Sequence, residues 1–138
     1  MVSVDNLDIT VDEISYEGEF TALLYENGIV ELVWDKKIKI ITLTTLKNVK
    51  ASLLHFGHGK RMPVYVSTFA FMETSAEAQR YAGTPEAQEY TVANAVQIDN
   101  LAKKIMFNFF IRFYGSSTPS RAFSDKEAAF KWLLSLVD

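Results

Sequence analysis

The chain has 138 residues, no cysteine, a net charge of −3 from 14 basic and 17 acidic residues, and is 49% hydrophobic and 13% aromatic. That length suits one domain with a core of its own, and the composition is too apolar for a disordered chain. The acidic balance excludes a general nucleic-acid binder, which needs a basic surface, and the missing thiols exclude disulfide, thiolate-zinc and cysteine-nucleophile chemistry.

The opening "MVSVDNLDITVDEIS" is acidic and lacks the basic-then-apolar order of a secretory signal. No apolar run reaches the ~20 residues of a spanning helix, so the expectation is a soluble cytoplasmic protein with no stable membrane insertion. Residues 1–17 read as a polar lead into a single domain over 1–138. "FTALLYENGIVELVW" then predicts a hairpin over about 18–34, with Asn27-Gly28 as a two-residue turn in which both positions take positive φ. Leu43, Leu46, Val49, Leu53 and Phe56 recur at helical spacing and predict a helix over 43–56, with Gly57 and Gly59 as its stop.

"MPVYVSTFAF", β-branched and aromatic behind Pro63, predicts a buried strand. Thr74 with Glu77 reads as a capping box opening "SAEAQRYA", Gly83 closes that helix, and Thr84-Pro85 starts another turn, so helical structure is expected over 75–91. "TVANAVQI" reads as a strand and 99–114 as a helix. After a loop, "RAF" reads as a short strand, and Ser124 with Glu127 as the cap of a last helix over 125–137. Its stripe is Phe130, Leu133 and Val137, with Ala129, Trp132 and Leu136 beside it. Strands alternating with helices mean an α/β layered domain: an N-terminal hairpin joined to a mixed, mostly parallel sheet of four or five strands.

The segment "NLAKKIMFNFFIRFYG" bears most directly on function. Lys104, Asn108 and Arg112 fall at i, i+4 and i+8 and form one narrow polar seam, while apolar side chains, Phe107, Phe110 and Phe113 among them, fill most of the rest of the circumference. A membrane-surface helix has a broad charged face, and single strands are read by aromatics on an open platform. A helix apolar nearly all round is normally buried on several sides. The reading is therefore core, extended by an interface formed by Lys104, Asn108, Arg112, Phe107 and Phe110.

In order, these elements resemble the SpoIIAA-like branch of the STAS superfamily, named for sulfate transporters and anti-sigma-factor antagonists. They are similar in particular to uncharacterised bacterial proteins sharing an "AxxYA" helix (Ala78, Tyr81, Ala82), an "NFF" helix (Asn108, Phe109, Phe110) and a tail with Pro119, Arg121, Phe123, Ala129, Trp132 and Leu133. The resemblance spans roughly residues 18–136. It implies a small domain with helices stacked on a mixed sheet and no enzymatic activity, in a superfamily of protein-interaction modules some of which bind small ligands. Anti-sigma antagonists carry a phosphorylatable serine in an Asp-Ser-x-Gly-like turn. Here "VYVSTFAFMETSAEAQ" has neither Asp-Ser nor glycine. Thr74 and Ser75 are weak phosphosite candidates near a helix start, and an N-cap role already accounts for Thr74.

Other chemistry is thin. His55 and His58 stand at i, i+3, but with Gly57 between them and no carboxylate nearby in sequence, placement near a helix C-terminus explains them better than metal binding. Lys60 and Arg61 read as solvated loop charge with a slight preference for anions. Glu73, Glu77, Glu86 and Glu89 suit helix starts and faces. No catalytic, metal or cofactor residue is assigned, which leaves two classes of function. One is an interaction or regulatory module binding a protein partner or a second copy; the other is a carrier or sensor of a lipid or other apolar ligand in an aromatic-lined pocket.

Overall fold

The computed structural model describes residues 3–4, 7–67, 73–114 and 117–137, and their side chains apart from those of 3, 4, 7, 8, 110, 113 and 114. Nine strands and four helices are described: β1 (Ser3–Val4), β2 (Leu7–Tyr16), β3 (Phe20–Tyr25), β4 (Val30–Trp34), β5 (Ile40–Ile41), α1 (Leu43–Gly57), β6 (Met62–Val66), β7 (Glu73–Thr74), α2 (Ala76–Ala82), β8 (Thr91–Gln97), α3 (Leu101–Tyr114), β9 (Ser120–Phe123) and α4 (Lys126–Ser135). Seven strands form one sheet in the order β1-β2-β3-β4-β6-β8-β9, and β5 pairs with β7 in a small second sheet. The mixed α/β architecture is as expected, with more strands than the expected four or five.

The strands up to β4 form an antiparallel meander, and β4, β6, β8 and β9 run parallel, as crossover helices between them require. The hairpin forms where expected, but not with a two-residue turn. Tyr25 N–H donates to Ile29 O and Gly28 N–H to Tyr25 O, enclosing three residues. Only Gly28 has positive φ (90°), the pattern of a type I turn closed by a glycine bulge. Asn27 contributes through its side chain, whose Oδ1 accepts from Ile29 N–H at 3.0 Å. Residues 7–16 of the expected polar lead form the strand β2.

The sheet is covered on both faces. Phe20, Ala22, Val30, Leu32 and Val64 meet Leu53 and Phe56 of α1 on one side. Residues one position out of step in the pleat, Tyr25, Tyr65, Ala93 and Ala95, meet Ala129, Phe130 and Leu133 of α4 on the other. α3 packs on the α1 face through Phe107 against Val96 and Ile98. Pro63 lies inside a central strand, where the missing N–H would break the ladder. A register shift between Met62 and Pro63 accommodates it.

Several expected helix ends move by a residue. The left-handed C-cap of α1 is His58 (φ 51°), not a glycine. A Cβ at Gly57 would lie 2.9 Å from Met62 Sδ, so any larger residue there has to displace the Met62 side chain. The cap of α2 is Ser75, accepting from Ala78 N–H, because Thr74 is held in β7 beside Ile41. The cap of α4 is Asp125, accepting from Glu127 and Ala128 N–H, not Ser124. Helix α2 ends at Ala82, and only a Thr84-capped turn follows, with Gln88 N–H on Thr84 O. Val137 and Leu136 of the α4 stripe are exposed.

Candidate functional site

Asn100 precedes α3 and caps it, its Oδ1 accepting from Lys103 N–H at 2.9 Å, and Lys103 pairs with Asp99 one turn back at 3.0 Å. Among the described side chains of α3 only a narrow side is covered: Phe107 is buried, and Lys103 and Ile111 are half-buried. Leu101 is 72% exposed, Ile105 60% and Phe109 56%, with Met106 on the flank. This overturns the expectation of a helix buried on several sides. An amphipathic helix at the margin of a sheet has one wall to lean on, and Leu101, Ile105 and Phe109, away from that wall, face solvent. Leu101, Ile105 and Phe109 stand at i, i+4 and i+8 and make a continuous stripe. Lys104, Asn108 and Arg112, all exposed, run beside it. Of the expected interface residues, the structure thus places Lys104, Asn108 and Arg112 on the outward side and Phe107 in the core. Phe110 and Phe113 lie outside the described side chains.

A second constellation, on the opposite face, was not legible in the sequence. Glu31 of β4 is buried, and its carboxylate accepts from Tyr25 OH at 2.5 Å and pairs with Lys126 Nζ at 3.2 Å. The Lys126 ammonium also sits 5.6–5.7 Å from the ring centres of Tyr25, Tyr65 and Phe130, within cation–π range. Tyr65 OH donates to Gln97 Oε1, and Gln97 Nε2 donates to Ser124 O just before α4. Each polar group is satisfied by another, so the arrangement anchors the start of α4 to the sheet. The only sequence signal was Glu31 interrupting the apolar run "IVELVW".

Several of the remaining candidates are engaged in structural contacts. His55 Nε2 donates to Glu13 Oε2 at 2.9 Å, a carboxylate 42 residues away that tethers β2 to α1. No group of three or more metal-ligating side chains occurs among the described residues. Arg61 donates twice to Thr91 O, at 2.7 and 3.1 Å, and Glu89 pairs with Lys50 at 3.0 Å. That hydrogen bond is the main reason the Lys50 ammonium titrates above its ordinary range. Tyr16, exposed on β2, is likewise raised, chiefly by the negative charge of Asp35. Ser75 is half-buried with its hydroxyl engaged as a cap, and Thr74 O accepts from Gln79 Nε2. A depression of about 280 Å³ between β2 and α1 is lined by Ser15, Glu17, Ala51, Ser52, His55 and Phe56. Among the described residues no helix is long and apolar enough to cross a membrane.

The chain belongs to the family described as the domain of unknown function DUF7793, which matches residues 23–137. No functionally curated protein matches it. Its fold is similar to that of an uncharacterised DUF3478-family protein with a SpoIIAA-like fold from Shewanella loihica PV-4, at 13% identity and TM-score 0.52, covering 96% of this chain and 99% of that one. The SpoIIAA-like architecture is therefore established. A protein of unknown function from Arthrobacter sp. FB24 aligns over 81% of this chain and 96% of its own at 20% identity, with a TM-score of 0.30.

Proposed function

We propose that this SpoIIAA-like domain is a non-enzymatic protein-interaction module whose docking surface is the outward face of α3. The observation that carries the reading is the solvent-facing stripe of Leu101, Ile105 and Phe109. A contiguous apolar surface rimmed by polar groups is what interaction sites present. Lys104, Asn108 and Arg112 supply that rim, the place where charged side chains are tolerated at interfaces. Two titratable pairs elsewhere are engaged internally, Glu31 with Lys126 and His55 with Glu13. The first occupant to test is a second copy of the chain.

Light scattering over a wide concentration range is the test. The expected result is a mass rising above the 15.6 kDa monomer for the natural chain, and a monomer for Leu101→Ser/Ile105→Ser with an unchanged circular dichroism spectrum. A strict monomer at every concentration removes self-association. A co-purified apolar ligand in native mass spectrometry would then favour the carrier reading. The depression beside β2 is a poor enclosure for such a ligand, since Ser15, Glu17, Ser52 and His55 line it beside Phe56.

A further inference from the structure

The charges of this chain are segregated along it. The first 35 residues hold nine carboxylates and no lysine, arginine or histidine, whereas residues 100–124 hold four cations and no carboxylate. Folding carries β2 of the first stretch and the cationic stretch to opposite margins of the sheet, while Glu31 lies mid-sheet against Lys126. β2 lies next to one edge strand, and α3 packs on β8 and β9 at the other. Five strand spacings separate β2 from β9, roughly 24 Å at ~4.8 Å each. That is more than twice the ~10 Å screening length of 0.1 M salt, so the acidic margin of one molecule cannot neutralise its own α3.

The acidic margin also carries apolar surface of its own. Ile14 is 60% and Tyr16 65% exposed on β2, in register with Leu23 and Thr21, and Asp12 and Glu17 are exposed beside them. β1 pairs with β2 only between Leu7 and Thr10, so among the described residues no strand covers the outer edge of β2 beyond that point. Two surfaces of matching kind thus exist on one chain: an apolar stripe with cations, and an apolar strand with carboxylates. A symmetric contact between two α3 helices would instead bring Lys104 and Arg112 of each copy together, with Asp99, already paired to Lys103, as the nearest carboxylate in sequence.

Resting on the interaction reading above, we infer that the α3 face of one copy docks on the β2 margin of the next, so that the chain associates head to tail. Such a contact uses different patches on the two partners, and it repeats until it closes into a ring or extends as a filament. Opposite charges facing each other across it make the association weaken as salt rises.

Two surface variants decide it, Ile14→Ser/Tyr16→Ser and Leu101→Ser/Ile105→Ser, measured by light scattering alone and mixed, with circular dichroism as the folding control. The natural chain is expected to pass beyond a dimer at low ionic strength and to dissociate at high ionic strength. Each variant alone should be monomeric. Their equimolar mixture should stop at a heterodimer, because it joins one intact helix face to one intact strand margin and leaves both ends blocked. If the β2 variant alone still dimerises while the α3 variant does not, the contact is symmetric: the head-to-tail inference fails while the interaction reading stands. A natural chain that is strictly monomeric overturns both. Retention of a monomeric natural chain on phosphatidylglycerol vesicles, lost on Lys104→Glu/Arg112→Glu, would assign the α3 face to an anionic lipid surface and overturn the second-copy assignment.

Discussion

Helix α3 is the more apolar in sequence, with ten apolar residues of fourteen against six of ten in α4, yet the two have opposite fates in the fold. α4 lies over the middle of the parallel sheet, where Ala93 and Ala95 leave a shallow hollow and Phe130 fills it, meeting Tyr25 and Tyr65 edge to face at 5.5 and 5.3 Å. α3 lies over the last two strands and turns Leu101, Ile105 and Phe109 outward. Apolar count alone therefore does not decide burial. The breadth of sheet beneath a helix does, and a helix at a margin keeps apolar surface that a partner can use.

The largest effects should come from the α4 side. Lys126→Met leaves the Glu31 carboxylate buried without its cation and should cost about 3–5 kcal/mol, whereas Glu31→Leu/Lys126→Met should recover most of that loss. Chemical denaturation of the three proteins checks it, and equal stability of single and double variants would show the pair is not coupled. Phe130→Ala should cost a comparable ~3–5 kcal/mol, against less than ~0.5 kcal/mol for the surface change Ile105→Ser. Comparable losses at the two sites would erase the contrast between the helices.

A smaller effect distinguishes the cap of α2: Ser75→Ala should cost about 1 kcal/mol, and Thr74→Ala should leave the cap intact. The smallest concerns Lys50, whose raised titration comes first from its hydrogen bond to Glu89. The contribution of this group to stability is fully present below the unfolded pKa of about 10.4 and is lost as pH rises through the higher folded value. Glu89→Gln should lower the titration midpoint of Lys50 followed by side-chain NMR; an unmoved midpoint would discard that hydrogen bond as the cause.

Features written in neighbouring residues were legible: the Asn27-Gly28 hairpin, the helical spacing from Leu43 to Phe56, and the alternation that dictates a parallel sheet. The one-residue errors at Ser75 and Asp125 arose because adjacent side chains are equally able to cap. The choice falls to long-range pairing, here of Thr74 with Ile41 in the small sheet. β2 was hidden because its many carboxylates read as a polar lead, although a strand near a sheet edge keeps half its side chains in water. At the candidate interface the seam of Lys104, Asn108 and Arg112 was evident from spacing. The exposure of Leu101 and Ile105 was not, since it depends on where β8 and β9 end the sheet.

Glu31 and Lys126 are separated by 95 positions in the chain. During synthesis the meander through β4 emerges long before α4, and until then Glu31 is an ordinary hydrated carboxylate on an open sheet. Contacts so distant in sequence form late, and burial of this carboxylate requires the ammonium to arrive with the helix. The pair thereby acts as a latch that closes only once α4 has been synthesised and docks on the sheet. A chain released before residue 126 keeps an uncovered sheet with a charge in its middle, and that charge disfavours stacking of two unfinished copies on their bare apolar faces.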